Sequence, residues 1–133
     1  MARILIIDDD TQLVRVLEAY LTRCGHDVAA AFDGRQAIGM LSREMFELVI
    51  SDIIMPEQDG LEVLMWLRGR PARPRFIAVS GGSARLGQDM LLKLASYTAD
   101  RVMPKPFQLE ELQHAIDELL DSGTLNPVAA GTV

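Results

Sequence analysis

Ile-Leu-Ile-Ile-Asp-Asp-Asp, at residues 4–10, is the part of the sequence from which the fold can be inferred. Four consecutive apolar residues, mostly β-branched, are typical of a short strand that is buried on both faces. Strands of this kind belong to parallel sheets that carry helices on both sides. The stretch therefore favours an α/β fold, with Asp8, Asp9 and Asp10 at the carboxyl end of the first strand.

The rest of the chain alternates between short apolar runs and helical periodicity. Predicted strands cover residues 4–7, 27–31, 48–51, 76–79 and 101–103. Predicted helices cover residues 11–24, 34 to at least 41, 60 to at least 67, 88–97, and 109 to at least 119. Five βα units in series predict a doubly wound parallel sheet of five strands with right-handed crossovers. In such sheets the site lies beyond the carboxyl ends of the strands, where the strand order reverses.

Composition restricts the class of protein. A chain of 133 residues with 49% hydrophobic and 24% charged residues suits one folded domain. The net charge of −6 is unlike that of a nucleic-acid binder, so we expect no direct contact with nucleic acid. Cys24 is the only cysteine, which excludes a disulfide framework, and it is predicted to pack in the core. The apolar run before Asp8 is too short for a signal peptide or a membrane span, which favours a cytoplasmic protein.

Three segments are not explained by the alternation. Residues 122–133 have no charge and no periodicity, so we expect a domain over residues 1–121 followed by a tail or the start of a linker. Residues 68–75 hold four arginines and two prolines, and we interpret them as a solvated loop rather than an anion or partner site. Met65 and Trp66 fall outside the apolar stripe of the third helix, where a patch would suit a partner or a second copy.

Acidic side chains follow two of the predicted strands. Asp8 and Asp9 come after the first strand, and Asp52 comes after the third. Carboxylates that converge on one point repel each other unless they are protonated or bind a cation. An oxygen-only set without histidine or cysteine favours Mg²⁺, which binds carboxylates together with substrate phosphate. The pattern predicts a site for phosphoryl chemistry.

Residues after the other strands fit the same chemistry. Lys105 follows the fifth strand and is one of only two lysines, against eleven arginines. Its ammonium group would neutralise phosphate oxygens. The Ser80 hydroxyl and the backbone N–H groups near Gly81 would donate further hydrogen bonds to them.

These residues resemble the receiver domains of response regulators, the CheY-like phosphoacceptors of two-component signalling. The resemblance covers about residues 3–121 and depends on four motifs in a fixed order, which together are highly specific. The motifs are the apolar run ending in Asp8-Asp9, the segment Asp52-Ile-Ile-Met-Pro56 followed by Asp59-Gly60, Ser80, and Lys105-Pro106-Phe107. The implied fold is flavodoxin-like, with strand order 2-1-3-4-5.

The resemblance implies a role for each acidic residue. Asp52 would accept a phosphoryl group from a sensor histidine kinase or a histidine phosphotransfer protein. Asp9, Asp52 and the backbone carbonyl of Ile54 would ligate Mg²⁺ directly, and Asp8 would hold it through water. Asp10 is not part of the family's acidic pair, and we expect it to cap the first helix instead.

The resemblance also assigns the remaining motif residues. Lys105 would pair with Asp52 and then with the phosphoryl group, which Ser80 and Gly81 would also contact. Pro56, Gly60 and Pro106 would be structural, with a cis peptide bond between Lys105 and Pro106. Val102 occupies a position where the family commonly has an aromatic residue that reports switching.

The implied function is a phosphorylation-controlled switch. It would catalyse only its own phosphorylation and dephosphorylation, would not otherwise be an enzyme, and would act on an unknown downstream protein. The resemblance allows a homodimer and implies no contact with a membrane.

The same residues allow two rival interpretations. A haloacid-dehalogenase-like phosphatase would use Asp8 and Asp10 as an Asp-x-Asp element, but that fold is usually longer and leaves the Asp52 segment unexplained. A degenerate receiver that serves only as an interaction module would not be expected to keep Asp8, Asp9, Asp52, Ser80 and Lys105 together.

Overall fold

The computed structural model describes residues 1–53, 59–80 and 99–131, with the backbone alone for residues 59, 61, 80 and 122–131. The strands are β1 Arg3–Ile7, β2 Asp27–Ala31, β3 Leu48–Asp52, β4 Arg75–Ser80 and β5 Arg101–Pro104. The helices within these residues are α1 Thr11–Arg23, α2 Gly34–Arg43, α3 Asp59–Arg68 and α4 Leu109–Gly131. The helix predicted at residues 88–97 lies outside the described part of the chain.

The five strands form one parallel sheet in the order β2-β1-β3-β4-β5, which confirms the predicted architecture. Strand β1 lies between β2 and β3, so the order reverses beside it, and a crevice is expected at that carboxyl edge. The register pairs Ile7, the last residue of β1, with Ser51 of β3. The residues that follow this pair, Asp8 and Asp52, therefore lie side by side at this edge.

Helices cover both faces of the sheet. Ile4 and Ile6 of β1 belong to one core cluster, which includes residues of α1 and α4. Leu5 and Ile7 point to the other face and pack in a second cluster with residues of α2 and α3. Burying an aliphatic side chain of this size contributes about 1.5–3 kcal/mol, which explains the continuous apolar sequence of the central strands.

Two helices begin at aspartates, Asp10 and Asp33, and the first of these confirms the predicted cap. The Asp10 carboxylate accepts hydrogen bonds from the backbone N–H groups of Gln12 and Leu13 at the start of α1. The Asp33 carboxylate accepts one from the N–H of Gln36 at the start of α2. Each bond satisfies a backbone donor that has no partner inside the helix.

The end of α1 corrects the prediction for Cys24. Helix α1 ends at Arg23, and Gly25 turns the chain with a φ of 97°. Cys24 is the capping residue of this turn and is exposed. The prediction of a core position was wrong because it continued the helical periodicity by one residue beyond the last turn.

Helix α4 continues to Gly131 and so runs through the predicted domain boundary at residue 121. The boundary itself stays a prediction, because a helix can leave a domain as a connector. No helix in residues 1–53, 59–80 and 99–131 combines the length and the apolar character that crossing a membrane requires.

Candidate functional site

Three carboxylates meet at the carboxyl edge of the sheet. Asp8 and Asp9 follow β1 and Asp52 ends β3, and one carboxylate oxygen of each lies within 4.8 Å of the others. Asp8 and Asp52 are 3% and 6% exposed, whereas Asp9 is open to solvent. The parallel register of β1 and β3 produces this convergence, as the sequence predicted.

Lys105 lies between the two buried carboxylates. It follows β5, and its Nζ is 3.1 Å from Asp8 Oδ2 and 3.2 Å from Asp52 Oδ2. The peptide bond between Lys105 and Pro106 is cis, as predicted. The ammonium group therefore links the ends of three strands through charge-assisted hydrogen bonds.

The charges around Lys105 determine its protonation. Burial alone would lower its pKa, but the carboxylates of Asp8 and Asp52 raise it above the usual 10.5 through their charge and their hydrogen bonds. The side chain is thus a permanent cation at physiological pH, as a group that neutralises phosphate oxygens must be.

Asp10 takes no part in the carboxylate cluster. Its backbone N–H donates to Asp8 Oδ1 at 2.9 Å, which fixes the orientation of the Asp8 carboxylate. Its own carboxylate caps α1. An Asp-x-Asp site would need both Asp8 and Asp10 to face one point, so this geometry disfavours the phosphatase interpretation.

Gly60 lies against the backbone of Asp52. A Cβ atom at position 60 would lie 2.8 Å from the Cα of Ile53 and still closer to the carbonyl oxygen of Asp52. The absence of a side chain allows the first turn of α3 to approach the end of β3. The glycine therefore helps to set the backbone position of Asp52.

The donor set fits a small divalent cation. Three carboxylates and one ammonium group leave a formal charge of −2 within a partly buried cluster. All three groups are carboxylates, whose oxygen atoms are the ligands that Mg²⁺ prefers. The exposed Asp9 keeps one side open, where waters or a phosphate would complete six-coordination.

Several predicted site residues are described in part or not at all. Ile54, Pro56 and Gly81 lie outside the described residues. The backbone of Ser80 ends β4, where it pairs with Pro104, one residue before Lys105. Val102 is half-buried in β5 and packs against the core cluster that includes residues of α3.

A cavity beside Lys105 was not anticipated. Its lining includes Leu13 and Val16 from α1, and Phe107 from the start of the last βα connection. Val16 is 50% exposed. The available signal was an apolar residue on the solvent side of α1, which sequence periodicity alone does not distinguish from a scattered surface residue.

The parallel sheet with an acidic cluster at its switch point and a lysine between the carboxylates defines a CheY-like α/β domain. The family model of the response regulator receiver domain matches residues 4–117, so this chain belongs to that family.

Three similar proteins illustrate the relationship. The transcriptional activator protein PfeR of Pseudomonas aeruginosa is 37% identical over 120 residues, which cover 89% of this chain and 37% of PfeR. A CheY-like receiver domain protein from Methanospirillum hungatei is 29% identical, with 92% of this chain and 95% of that chain covered and a TM-score of 0.79. The response regulator TrrA of Thermotoga maritima, solved with Mg²⁺ and BeF, is 28% identical, with coverages of 90% and 99% and a TM-score of 0.76.

This chain spans little more than a third of the length of PfeR. The similarity therefore shows a receiver domain of two-component signalling and does not extend to the rest of that regulator.

Proposed function

We propose that this domain accepts a phosphoryl group on Asp52 from the phosphohistidine of a sensor histidine kinase or a histidine phosphotransfer protein. The observation that supports this most directly is the Lys105 ammonium group within 3.2 Å of both Asp8 and Asp52. A structural salt bridge would need one carboxylate, whereas a second carboxylate and the nearby Asp9 leave an excess of negative charge that a bound cation would neutralise.

The chemistry is a displacement at phosphorus. An Asp52 carboxylate oxygen forms the new O–P bond while the N–P bond to the donor imidazole breaks, and the electron pair returns to the imidazole nitrogen. Lys105 donates hydrogen bonds to the phosphoryl oxygens as charge accumulates on them. The domain supplies position and charge, so it catalyses only its own phosphorylation and dephosphorylation.

Asp8, Asp9 and Asp52 would hold Mg²⁺, with the carbonyl of Ile54 as a further ligand. When bound, Mg²⁺ neutralises carboxylate and phosphoryl oxygens, as a hard divalent ion does. The TrrA structure with Mg²⁺ and BeF supports this choice of ion for a protein of the same family. Ser80 and Gly81 would complete the phosphate contacts.

The cavity beside Lys105 would receive the histidine-bearing donor. Leu13, Val16 and Phe107 offer apolar contacts next to the lysine, and Val16 is half exposed. A donor helix that packs there would bring its phosphohistidine to the carboxylate cluster without entering the core.

Phosphorylation would switch the conformation of the domain and so control an unknown downstream protein in the cytoplasm, without direct contact with nucleic acid or a membrane. Val102 would transmit this change differently from an aromatic side chain, because it has no ring to rotate. A homodimer is one output that the proposal allows.

The experiment is phosphorylation with acetyl phosphate and Mg²⁺, followed by mass spectrometry. We expect an adduct of about 80 Da on Asp52 that disappears in Asp52→Asn and when EDTA replaces Mg²⁺. Asp33→Asn is the matched control, because Asp33 caps α2 and lies outside the carboxylate cluster. An adduct on Asp8 would instead support a phosphatase, and no adduct beside a reactive control receiver would support an inert interaction module.

A further inference from the structure

A groove opens at the edge of the sheet opposite the carboxylate cluster. It is a cavity of about 210 Å³ between the loop that follows α2 and the loop that joins α3 to β4. We call it the arginine–tryptophan groove, and its main residues are Met45, Phe46, Trp66, Arg70, Arg73 and Pro74. The five residues of β3 separate the groove from the carboxylate cluster by roughly 15 Å.

The apolar side chains of the groove range from buried to exposed. Phe46 is buried at its base, Trp66 is half-buried, and Met45 is 79% exposed. An exposed methionine and a half-buried tryptophan that line the same cavity are typical of contact surfaces, because such side chains tolerate varied partners.

The rim of the groove presents a cation in a fixed orientation. The Arg70 guanidinium stacks 3.8 Å from the centroid of the Trp66 ring. Stacking uses the flat face of the guanidinium and leaves its N–H groups directed outward in the plane, where they can bind a carboxylate. Among the residues that the structure describes, no carboxylate pairs with Arg70.

The neighbouring charges leave the rim positive. Arg73 and Arg75 both pair with the Asp100 carboxylate, at 3.7 Å and 3.3 Å. Glu44 also lines the groove, and its carboxylate pairs with Arg3, which binds Asp27 as well. The lining of the groove holds two arginines and one glutamate in a chain whose net charge is −6, and this local excess of positive charge favours an acidic partner.

We propose that the arginine–tryptophan groove binds an acidic peptide segment of a partner protein. An apolar side chain of the segment would enter the cavity beside Trp66, and a flanking carboxylate would pair with Arg70. Because the groove and Asp52 lie at opposite edges of the sheet, the partner binds without covering the phosphorylation site. The sequence alone favoured a solvated loop at residues 68–75, since the cavity and the stacking exist only in the folded chain.

The chain has one tryptophan, Trp66, so its fluorescence reports on this groove. The probe is a synthetic peptide with a central leucine between glutamates and aspartates, and the comparison peptide carries lysines in place of the acidic residues. We expect the acidic peptide to shift the Trp66 emission and to bind more weakly as salt increases, because exposed ion pairs are screened. The basic peptide should produce no shift.

Charge substitutions test the recognition by calorimetry. Arg70→Gln should weaken binding of the acidic peptide about tenfold, because a stacked guanidinium donor is lost. Arg23→Gln is the matched control, since Arg23 is an exposed arginine in the last turn of α1, on the other face of the sheet, and it should bind like the wild type. Met45→Glu should weaken binding and Met45→Lys should strengthen it, and neither should unfold the domain because Met45 is exposed.

Three outcomes would overturn the proposal. The first is equal binding of the acidic and basic peptides, or equal binding by the wild type and Arg70→Gln. The second is a concentration-dependent dimer in sedimentation that Arg70→Gln abolishes, which would make a second copy the occupant. The third is displacement of the peptide by a thymidine oligonucleotide, which would make the groove a nucleic-acid site.

Discussion

At the scale of single residues, Lys105 and Gly60 control the position and charge of Asp52. Lys105 balances two buried carboxylates with one ammonium group, and Gly60 allows α3 to begin against the Asp52 backbone. Lys105 contributes a charge, whereas Gly60 contributes the absence of a side chain. Substitution of Lys105 should therefore change how stability depends on pH, and substitution of Gly60 should lower stability through a steric overlap.

Lys105→Met should change how stability depends on pH. The pKa of Lys105 is raised above 10.5 in the folded state, so its stabilising effect is complete below 10.5 and is lost as pH rises through the folded-state pKa. We expect the wild type to exceed Lys105→Met in free energy of unfolding near neutral pH, and the difference to shrink at more alkaline pH. Urea denaturation with EDTA present, at pH values from about 8 to about 11, measures this difference. A constant difference across the range would contradict it.

Gly60→Ala should destabilise the domain by about 1–3 kcal/mol, because the new Cβ atom overlaps the backbone of β3. Gly39→Ala is the matched control in α2, where the nearest atom is the flexible end of Arg43 at 3.5 Å. That variant should gain about 0.5–1 kcal/mol, since alanine restricts the unfolded chain and favours the helix. Thermal and urea unfolding of both variants would test the opposite signs.

At the scale of elements, the helix beginnings link sequence to site geometry. Asp10 caps α1 with its side chain and orients Asp8 with its backbone N–H. The third aspartate of the run thus serves the helix, while the first two face the site. Neighbouring carboxylates acquire different roles because Asp8 and Asp9 follow the end of β1 at the carboxyl edge of the sheet, whereas the side chain of Asp10 caps its own helix.

Asp10→Ala should cost about 1 kcal/mol of unfolding free energy, as the loss of a helix cap does. Asp10→Asn should retain most of this energy because the amide oxygen still accepts from the N–H groups of Gln12 and Leu13. Asp33→Ala provides a parallel case at α2, and the two effects should add because the caps share no hydrogen-bond partner. Urea denaturation of the three single variants and the double alanine variant would reveal any departure from additivity.

At the scale of the whole molecule, His26 connects parts of the chain that are distant in sequence. It is 9% exposed, its Nδ1 accepts from the backbone N–H of Ala2 at 3.1 Å, and its Nε2 lies 3.2 Å from Gln113 Oε1 in α4. These contacts join the start of β1, the turn before β2 and the C-terminal helix. Spacing in the sequence could not reveal this link, because Gln113 is 87 residues away.

His26→Ala should lower the free energy of unfolding by about 1–3 kcal/mol, because the buried N–H of Ala2 loses its acceptor. Gln113→Ala should cost less, since it removes the more exposed of the two bonds. Hydrogen exchange should show faster exchange at Ala2 in His26→Ala and little change there in Gln113→Ala. Equal protection of Ala2 in the wild type and His26→Ala would contradict the assigned bond.

Local patterns in the sequence were sufficient to predict the sheet, the helix cap at Asp10 and the carboxylate cluster. Buried parallel strands require continuous apolar runs, and caps require short polar side chains, so each leaves a signature within a few residues. Asp8, Asp9, Asp52 and Lys105 were predictable because the carboxyl ends of parallel strands meet at one edge. Cys24 was predicted wrongly because a helical period does not show where the last turn ends.

The βα alternation, the acidic edge and the resemblance to receiver domains follow from the amino-acid sequence, since they depend on residue type and short-range spacing. The folded structure was needed to show that Lys105 also contacts Asp8, that His26 contacts α4, and that Arg70 stacks on Trp66 over a cavity. The features of the first kind depend on periodicity along the chain. The three side-chain contacts depend on side-chain direction and on packing between distant segments, which are fixed only when the chain folds.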